Sequence, residues 1–344
     1  GVGYDSTRTL DMWGLTLFLL ALSWVWVSAQ ASGGDPLPTT RLLLVLAAYY
    51  IGGRVVGSMV PAAIPLLIAG AGLVLLVADP ADVLSARPLD GPFGYSNATG
   101  AFYAQAAFAA AMLAMQLPLL RSLGVVIAAA CAAVPFIVGS SAAGFLAAGF
   151  IPIAAFARTR SATKSIVQLA AALGLAALMV TAYLGVTDSP SDRGAGLDRI
   201  VNETFGGRRT ALWNDALTMI GDQPIFGVGP DRFQEVSSVA RSDRDARWAH
   251  NELLQLGAET GLPGMAAWLA LFGWAFIRLA SRPRGYVTAL GALALSALLV
   301  HSSIDYILHF LSVAAAGAAL VGSATAAPVR RARMAGLSER QGSP

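Results

Sequence analysis

The sequence predicts an all-α fold, a polytopic bundle of about ten transmembrane helices with one large, partly helical external loop. Two observations carry this prediction. Hydrophobic residues make up 56% of the 344 positions and charged residues 12%, with a mean hydropathy of +0.63, whereas soluble chains average about 45–50% and about 25%. Apolar stretches also recur at the length of a bilayer crossing. This composition excludes a soluble dinucleotide-binding enzyme, a nucleic-acid-binding protein and a disordered scaffold.

The apolar stretches define the transmembrane helices in chain order. A membrane-spanning helix needs about 20 mostly apolar residues. The stretch 124–157 is too long for one span, and the turn signal Gly139-Ser140-Ser141 divides it into a hairpin. Ten spans follow: 12–28, 41–57, 59–78, 100–117, 124–139, 142–157, 165–186, 262–279, 286–300 and 307–326.

Basic residues orient these spans. Most of them fall in the loops of one side and in the C-terminal tail, and by the positive-inside rule that side is cytoplasmic. We therefore predict four regions: transmembrane helices one to seven in 1–186, an external (periplasmic) loop with the active site in 187–261, three further transmembrane helices in 262–326, and a polar cytoplasmic tail in 327–344.

The long external segment carries two predicted helices. Residues 208–220 place Leu212, Trp213 and Ala216 at helical spacing, followed by Gly221. A second helix is predicted from Ala249 to Thr260, with Gly261 as the residue after its end.

The ionisable groups favour chemistry at the outer face of the membrane. Charge inside spans is the usual sign of a transporter, and the centres of these spans contain almost none. Arg209 shares a helix face with Trp213, and its guanidinium fork suits phosphate oxygens, although pairing with local acids is the alternative. His250 is a candidate general base, or else a capping or packed histidine.

Weaker signals surround these two residues. Gly227 and Gly229 lie beside prolines, where the backbone either approaches a ligand closely or makes an ordinary tight turn. His301 and Asp305 are four residues apart, so they are predicted to share a helix face and either to support the external site or to form a structural hydrogen bond. The single cysteine excludes an internal disulfide, and the spacing of His, Cys and Glu predicts no metal site.

Taken together, five segments resemble the O-antigen ligase and O-antigen polymerase superfamily of membrane glycosyltransferases. The order and spacing follow that family's Gly-Arg…Trp, Pro-x-x-Gly-x-Gly, His-Asn…Glu-x-Gly and His-Ser…Asp pattern, and the resemblance covers about 90–326. The segments are 207–213 (GRRTALW), 222–230 (DQPIFGVGP) with Phe233, 250–255 (HNELLQ), 259–264 (ETGLPG) and 300–306 (VHSSIDY).

The resemblance implies an activity and a site. Such enzymes move a glycan from undecaprenyl pyrophosphate to an acceptor hydroxyl on a glycan or lipid, with inversion and without metal or cofactor. The reaction takes place at the outer face of the bacterial cytoplasmic membrane, among membrane lipids and without nucleic acid. Arg209 would hold the pyrophosphate, and His250 would act as general base or orient the acceptor hydroxyl. Substrate-binding residues would be Arg208, Trp213, Gly227, Gly229, Arg244, Arg247 and Asn251.

The chain departs from the family pattern at one outer turn. Many members carry a Ser-Arg pair where this chain has Ser140-Ser141, so a second pyrophosphate arginine is absent there. Arg208, Arg244 and Arg247 are the candidate replacements. The stretch 93–97 (FGYSN) resembles the family's segment before an outward-starting span and is expected to belong to a lipid-carrier groove.

Several alternatives remain at this stage. A polymerase of the same superfamily would differ from a ligase only in its acceptor. A polytopic transporter or flippase of cell-surface glycans would need a polar path through the bundle, and a non-catalytic assembly partner would be consistent with the missing arginine. The chain begins at Gly1 rather than Met, and ten spans would fit a family member lacking about two N-terminal helices.

Overall fold

The structure is a computed structural model that describes residues 2–85, 87, 91–186, 207–242, 247–281 and 283–327. Within these ranges the chain forms fourteen α-helices and no strands. The prediction of an all-α fold is confirmed for the described residues. The helices are α1 Val2–Ser32, α2 Leu37–Met59, α3 Ala63–Ala78, α4 Pro80–Val83, α5 Ser96–Gln116, α6 Arg121–Ile137, α7 Ser141–Ile153, α8 Arg160–Val186, α9 Gly207–Asp222, α10 Phe233–Val236, α11 Ser238–Ser242, α12 Glu252–Ser281, α13 Tyr286–Ser302 and α14 Leu311–Thr325.

Each of the ten predicted spans lies on its own apolar helix. Judged by length and composition alone, five helical stretches are long and apolar enough to cross a membrane: Arg8–Ser32, Leu37–Met59, Ser96–Gln116, Pro118–Ile137 and Glu252–Ser281. Four shorter apolar helices accompany them: Ala63–Ala78, Ser141–Phe156, Tyr286–Ser302 and Leu311–Thr325. The chain is thus a helical membrane protein, and the predicted hairpin is present because α6 and α7 are separated by a turn with Gly139 at φ 80°.

Helix α5 forms the centre of the bundle. Alanine is its most frequent residue, and 94% of its most apolar stretch is buried against neighbouring helices. Small residues also allow backbones to approach elsewhere in the bundle. On α2 and α14, a Cβ added to Gly53 would meet the backbone of Ala319, and one added to Gly322 would meet the carbonyl of Tyr50. Close helix packing therefore depends on these glycines.

A cluster of charges joins α1, α2 and α12 at one end of the bundle. The two terminal nitrogens of Arg54 donate to the carboxylate of Asp11 at 2.6 and 2.7 Å, and Nε of Arg278 donates to the same carboxylate at 3.0 Å. Arg278 is only 1% exposed, so this pairing offsets the cost of burying its charge. Because Arg278 is near the end of α12, the cluster lies opposite the residues that begin this helix.

The segment predicted to be external, called the external segment below, has a small hydrophobic core of its own, formed by α9, α10 and the first half of α12. It is built from buried side chains that include Leu212, Trp213, Phe233 and Leu254. The predicted helix 208–220 is confirmed as α9. Residues 187–206 and 243–246 of the predicted loop lie outside the described residues, as do residues 328–344 of the predicted tail.

The second external helix differs from its prediction at both ends. It begins at Glu252 rather than Ala249, because His250 has a left-handed backbone (φ 52°) that no helix accommodates. It also continues into the next apolar span, so that α12 is one long helix with a kink at Gly261 (φ 72°). The glycine predicted to follow the helix end therefore marks a bend between an external and an apolar half.

Candidate active site

Asp305 is the centre of a polar cluster. The cluster lies where α5, α9 and α12 begin and where α13 ends. Its Oδ2 accepts hydrogen bonds from the hydroxyl of Tyr95 at 2.8 Å and from the amide of Asn97, and lies 3.4 Å from Nη2 of Arg209. Its Oδ1 accepts from the backbone N–H of Tyr306 at 2.8 Å. The carboxylate is 1% exposed, so it is a buried charge whose partners come from three separate segments of the chain.

His250 lies on the other oxygen of this carboxylate. Its Nδ1 is buried 3.3 Å from Oδ1 of Asp305, a charge contact whose direction is not that of a well-aligned hydrogen bond. The side chain is 14% exposed, and Nε2 makes no hydrogen bond to a described residue. Nδ1 therefore faces the buried carboxylate of Asp305, and the side chain as a whole keeps a small exposed fraction.

The next residue, Asn251, fixes the turn that carries His250. Asn251 accepts a hydrogen bond from the N–H of Leu254 at 3.0 Å, which caps the start of α12, and donates to the carbonyl of Ser303 at 2.8 Å. These two bonds tie the start of α12 to the turn that carries Asp305. A left-handed conformation at a histidine costs about 1 kcal/mol or more, and such strain persists only where neighbouring contacts hold it.

Two further hydrogen bonds fix the backbone around His250, one at its carbonyl and one at the N–H of the preceding residue, Ala249. The indole N–H of Trp213 points to the carbonyl of His250 at 3.4 Å, and the N–H of Ala249 donates to Oε1 of Gln255 at 2.6 Å. Gln255 in turn donates to Glu259 at 2.7 Å, one turn further along α12. The position of the histidine is thus determined by α9 and α12 together.

Arg209 and Trp213 share one face of α9, as the spacing predicted, but they do different things. Trp213 is fully buried in the external core, so its ring has no face open to a ligand. Arg209 is 27% exposed and directs Nη2 to Asp305. Only Nη2 is used in this contact, and the side chain is partly exposed, so the guanidinium has further N–H donors for a ligand.

Aromatic rings form a wall around the histidine. Tyr306 stacks on Tyr95 with ring centroids 4.9 Å apart, and meets the edge of His250 at 4.6 Å. Trp248 lies 4.5 Å from Tyr306 on the far side. These stacked rings restrict the rotation of His250 and exclude water from the buried side of Asp305.

The other predicted arginines have different surroundings. Arg247 lies 5.2 Å above the ring of Trp248 and pairs with Asp231 at 3.2 Å. Arg208 is exposed in the first turn of α9, adjacent to Arg209. Arg244 lies outside the described residues. Arg208 thus adds positive charge beside Arg209, whereas the charge of Arg247 is paired with Asp231.

The turn containing Ser140 and Ser141 lies at the same end of the bundle as the polar cluster. A Cβ added to Gly100, one turn beyond Asn97 on α5, would meet the side chain of Ser140. Ser140 itself is 1% exposed, whereas Ser141 is exposed at the start of α7. An arginine at this turn in a relative would therefore lie near Asn97.

The glycine-rich turn packs against the protein's own backbone. Gly227 and Gly229 have φ values of 68° and 105°, and added Cβ atoms would meet Glu259 and Gly33 respectively. The N–H groups of Val228 and Gly229 donate to the carbonyls of Ala258 and Glu259 at 2.8 and 3.0 Å. The turn thus satisfies carbonyls at the end of the external half of α12, which would otherwise be unpaired at the kink.

The comparison with known protein families adds an independent observation. A family model described as O-Antigen ligase matches residues 124–269. These residues are similar to that family. The resemblance drawn from the motifs is confirmed over this range. No curated protein matches the chain in a sequence search.

The matched range contains part of the polar cluster, and residues outside this range complete it. Arg209, His250 and Asn251 lie inside the matched range, whereas Tyr95, Asn97 and Asp305 lie outside it. The family pattern in the sequence pointed to Asp305 as a supporting residue, but gave Tyr95 and Asn97 only as part of the stretch 93–97. To predict their hydrogen bonds to Asp305, the sequence would have to show that α5 packs against the turn after α13, and no local pattern shows this.

One expectation about the supporting residues is wrong. His301 and Asp305 do not share a helix face, because α13 ends at Ser302 and Asp305 lies in the following turn. The end of the helix is closed by the N–H of Ser303, which donates to the carbonyl of Leu299 at 3.0 Å. His301 is buried beside the cluster at 4% exposure.

The charges around Asp305 keep it ionised. Burial by itself would raise the pKa of this carboxyl group, but the adjacent His250, Arg209 and His301 lower the pKa to about 2. The cluster thus contains a permanent negative charge at neutral pH, next to a histidine and an arginine. Among the described residues, no three His, Cys, Asp or Glu side chains come together as metal ligands would.

Proposed function

We propose that this protein transfers a glycan from undecaprenyl pyrophosphate to an acceptor hydroxyl at the outer face of the bacterial cytoplasmic membrane. The observation that carries the proposal is the convergence of Arg209 and His250 on Asp305. The similarity of residues 124–269 to the O-antigen ligase family supports glycan transfer as the type of reaction.

In this proposal His250 is the general base. With Nδ1 facing the ionised Asp305, the neutral ring carries its proton on Nδ1 and leaves Nε2 to accept the proton of the acceptor hydroxyl. The hydroxyl oxygen then attacks the anomeric carbon, and the bond from this carbon to the pyrophosphate oxygen breaks. The electron pair leaves with the pyrophosphate, so a single displacement inverts the configuration. Asp305 stabilises the imidazolium that forms.

Arg209 is proposed to bind the pyrophosphate. Negative charge accumulates on the leaving group as its bond to the sugar breaks, and a fixed guanidinium stabilises that charge. Its contact with Asp305 uses Nη2, so the other N–H groups remain for phosphate oxygens. Arg208 and Arg247 are proposed as further positive charges for the donor, in place of the arginine that the turn at Ser140-Ser141 lacks.

The remaining predicted binding residues are assigned supporting roles. Asn251 and Trp213 fix the turn of His250 through their hydrogen bonds. Gly227 and Gly229 are proposed to keep the kink of α12 in place under the site. The aromatic wall around Tyr306 is proposed as a boundary of the sugar-binding space.

The membrane topology is also part of the proposal. Ten crossings with both ends cytoplasmic would put the polar cluster outside and the cluster of Asp11, Arg54 and Arg278 inside. Helix α12 supports this arrangement, because the polar cluster lies at its first residues and Arg278 near its end. The lipid-linked donor would then reach the site from the outer leaflet.

The test uses the full chain, purified and reconstituted in liposomes. Undecaprenyl-pyrophosphate glycan is supplied with either a lipid acceptor or a second repeat-unit glycan, and the product is identified by mass. Transfer to the lipid identifies a ligase and chain extension identifies a polymerase. Movement of unchanged donor across the bilayer with no new glycosidic bond would show a flippase and contradict the proposal.

A further inference from the structure

We propose that a basic cavity at the opposite end of the bundle from the polar cluster binds the phosphate group of an anionic phospholipid of the cytoplasmic leaflet. The cavity has a volume of about 440 Å³. It lies between the segment that precedes α8, the segment that precedes α13 and the end of α14. Its lining residues are Arg158, Thr159, Arg160, Pro283, Arg284, Gly285, Ala326 and Ala327.

The charge of the cavity wall is entirely positive. Arg158, Arg160 and Arg284 line it, and among the described residues no carboxylate does. None of the three arginines is within ion-pair distance of a described acid, unlike Arg54 and Arg278 in the neighbouring cluster. The positive-inside rule explains why arginines lie at this end of the helices. It does not explain why three converge on one cavity without counter-charge.

Two helix N-termini also face the same region. Thr159 caps α8, with its hydroxyl accepting from the N–H of Ala162 at 3.1 Å, and Gly285 precedes α13 without any side-chain cap. The two segments are in contact, since a Cβ on Gly285 would lie 3.3 Å from the carbonyl of Ala157. Unpaired N–H groups and the helix dipole at such ends attract anions.

Arg284 is held in place at the cavity wall. Its Nη2 donates to the carbonyl of Ser323 at 2.9 Å, which fixes the guanidinium against the end of α14. This residue lines the cavity without a described acid in ion-pair distance, and guanidinium nitrogens are suitable donors to phosphate oxygens.

The surroundings favour a lipid over a soluble phosphate. Phe156, two residues before Arg158, is 71% exposed and lies at the end of an apolar helical stretch. Basic pockets between membrane helices at the cytoplasmic surface are typical binding sites for anionic headgroups. The occupant is therefore inferred to be a phospholipid with a phosphate headgroup of net negative charge. The leaflet rests on the topology proposed above, whereas binding itself can be tested without glycan transfer.

The experiment measures the affinity of the full chain for a short-chain phosphatidylglycerol in neutral detergent micelles, by the shift of the unfolding midpoint during a titration. The test variant is Arg158→Gln with Arg160→Gln, because both side chains are exposed and their loss leaves the packing intact. An arginine near an anionic group contributes about fivefold in affinity, so the double variant is expected to bind roughly 30-fold more weakly. Short-chain phosphatidylcholine should produce no saturable shift.

The matched control is Arg121→Gln, an exposed arginine at the start of α6 that does not line the cavity. It should keep the wild-type affinity within about twofold. Equal losses in the control and in the double variant would indicate general attraction to this face and overturn the proposal. Arg284→Lys keeps the charge but removes Nε, and is expected to weaken binding as well.

Two further results separate the sources of phosphate and the two proposals of this article. Inorganic phosphate or pyrophosphate that saturates the same site, with the same loss in the double variant, would show a soluble ligand and overturn the lipid assignment. Loss of glycan transfer on His250→Asn is independent of this cavity. A protein that transfers glycan but shows no saturable phosphatidylglycerol shift therefore refutes only the lipid site.

Discussion

Nδ1 of His250 lies 3.3 Å from Oδ1 of Asp305, and this contact joins a loop of the external segment to the turn between two apolar helices. The same carboxylate receives Arg209 on its other oxygen. A buried anion thus sets the orientation of both a base and a cation. In the proposed reaction, the acceptor and the leaving group are held by residues that share one counter-charge.

The first prediction concerns the base. His250→Asn is expected to lower glycan transfer by at least a hundredfold, because the amide cannot accept the hydroxyl proton. Asparagine tolerates the left-handed backbone that this position requires, so the variant should insert and unfold like the wild type. The measurement is product formation in liposomes, with the unfolding midpoint as the folding control. Normal transfer by this variant would remove His250 from the mechanism.

The second prediction concerns the carboxylate. Asp305→Asn leaves the side-chain size unchanged but removes the charge that His250, Arg209 and Tyr95 share. Transfer should fall by about a hundredfold or more, mainly in kcat, because the histidine loses its orientation and the stabilisation of its protonated form. Comparable kcat with a changed KM would indicate that Asp305 only shapes the binding space.

The third prediction separates charge from geometry at Arg209. Arg209→Gln is expected to lower transfer roughly 10²–10³-fold, as for the loss of one group that stabilises transition-state charge. Arg209→Lys should recover part of this loss, because it retains a positive charge without the two-pronged guanidinium. The control is Arg241→Gln on α11, an exposed arginine of the same external segment that has no contact with the cluster. Its activity should match the wild type.

The fourth prediction concerns the kink of α12. Gly261→Ala should destabilise the protein by about 1–3 kcal/mol, because φ is 72° and the added Cβ would meet the carbonyl of Ile225. Gly273→Ala, in the apolar half of the same helix, has open space around its Cβ and should be neutral or slightly stabilising. The midpoint of thermal unfolding in detergent distinguishes the two. Equal midpoints would show that the kink carries no strain.

The fifth prediction is a pH dependence of stability. Because the pKa of Asp305 is lowered to about 2 in the folded protein, below that of a free aspartate, its ionised form stabilises the fold above the unfolded-state pKa. This contribution is lost as the pH falls through the range between these two values. The difference in unfolding midpoint between wild type and Asp305→Asn should therefore shrink as the pH falls below about 4. A difference that stays the same from about pH 5 down to about pH 2 would contradict the assignment.

Local patterns predicted much of the helical architecture. Apolar length located ten helices, the spacing of Leu212, Trp213 and Ala216 located α9, and Gly261 was singled out as the break before the next span. These features depend on residues within a few turns of each other. The start of α12 was misplaced because a left-handed histidine is determined by contacts with distant segments, among them Trp213 and Ser303.

The sequence also predicted some features of the candidate site and missed others. Motif order grouped Arg209, His250 and Asp305 in one set, and the structure places the side chains of Arg209 and His250 against the carboxylate of Asp305. It did not show that Tyr95 and Asn97 also bind Asp305, nor that Gly227 and Gly229 pack on Glu259 and Gly33. A glycine motif has the same appearance whether the backbone approaches a ligand or another part of the protein.

The sequence by itself determined that this chain is a helical membrane protein and that many of its ionisable groups fall in one segment, 187–261, because hydropathy and charge are additive properties of neighbouring residues. Only the tertiary structure decided which groups meet. The cost of burying Asp305 is offset only when Arg209, His250, Tyr95 and Asn97 surround it, and these come from segments that only the packing of the helices brings together.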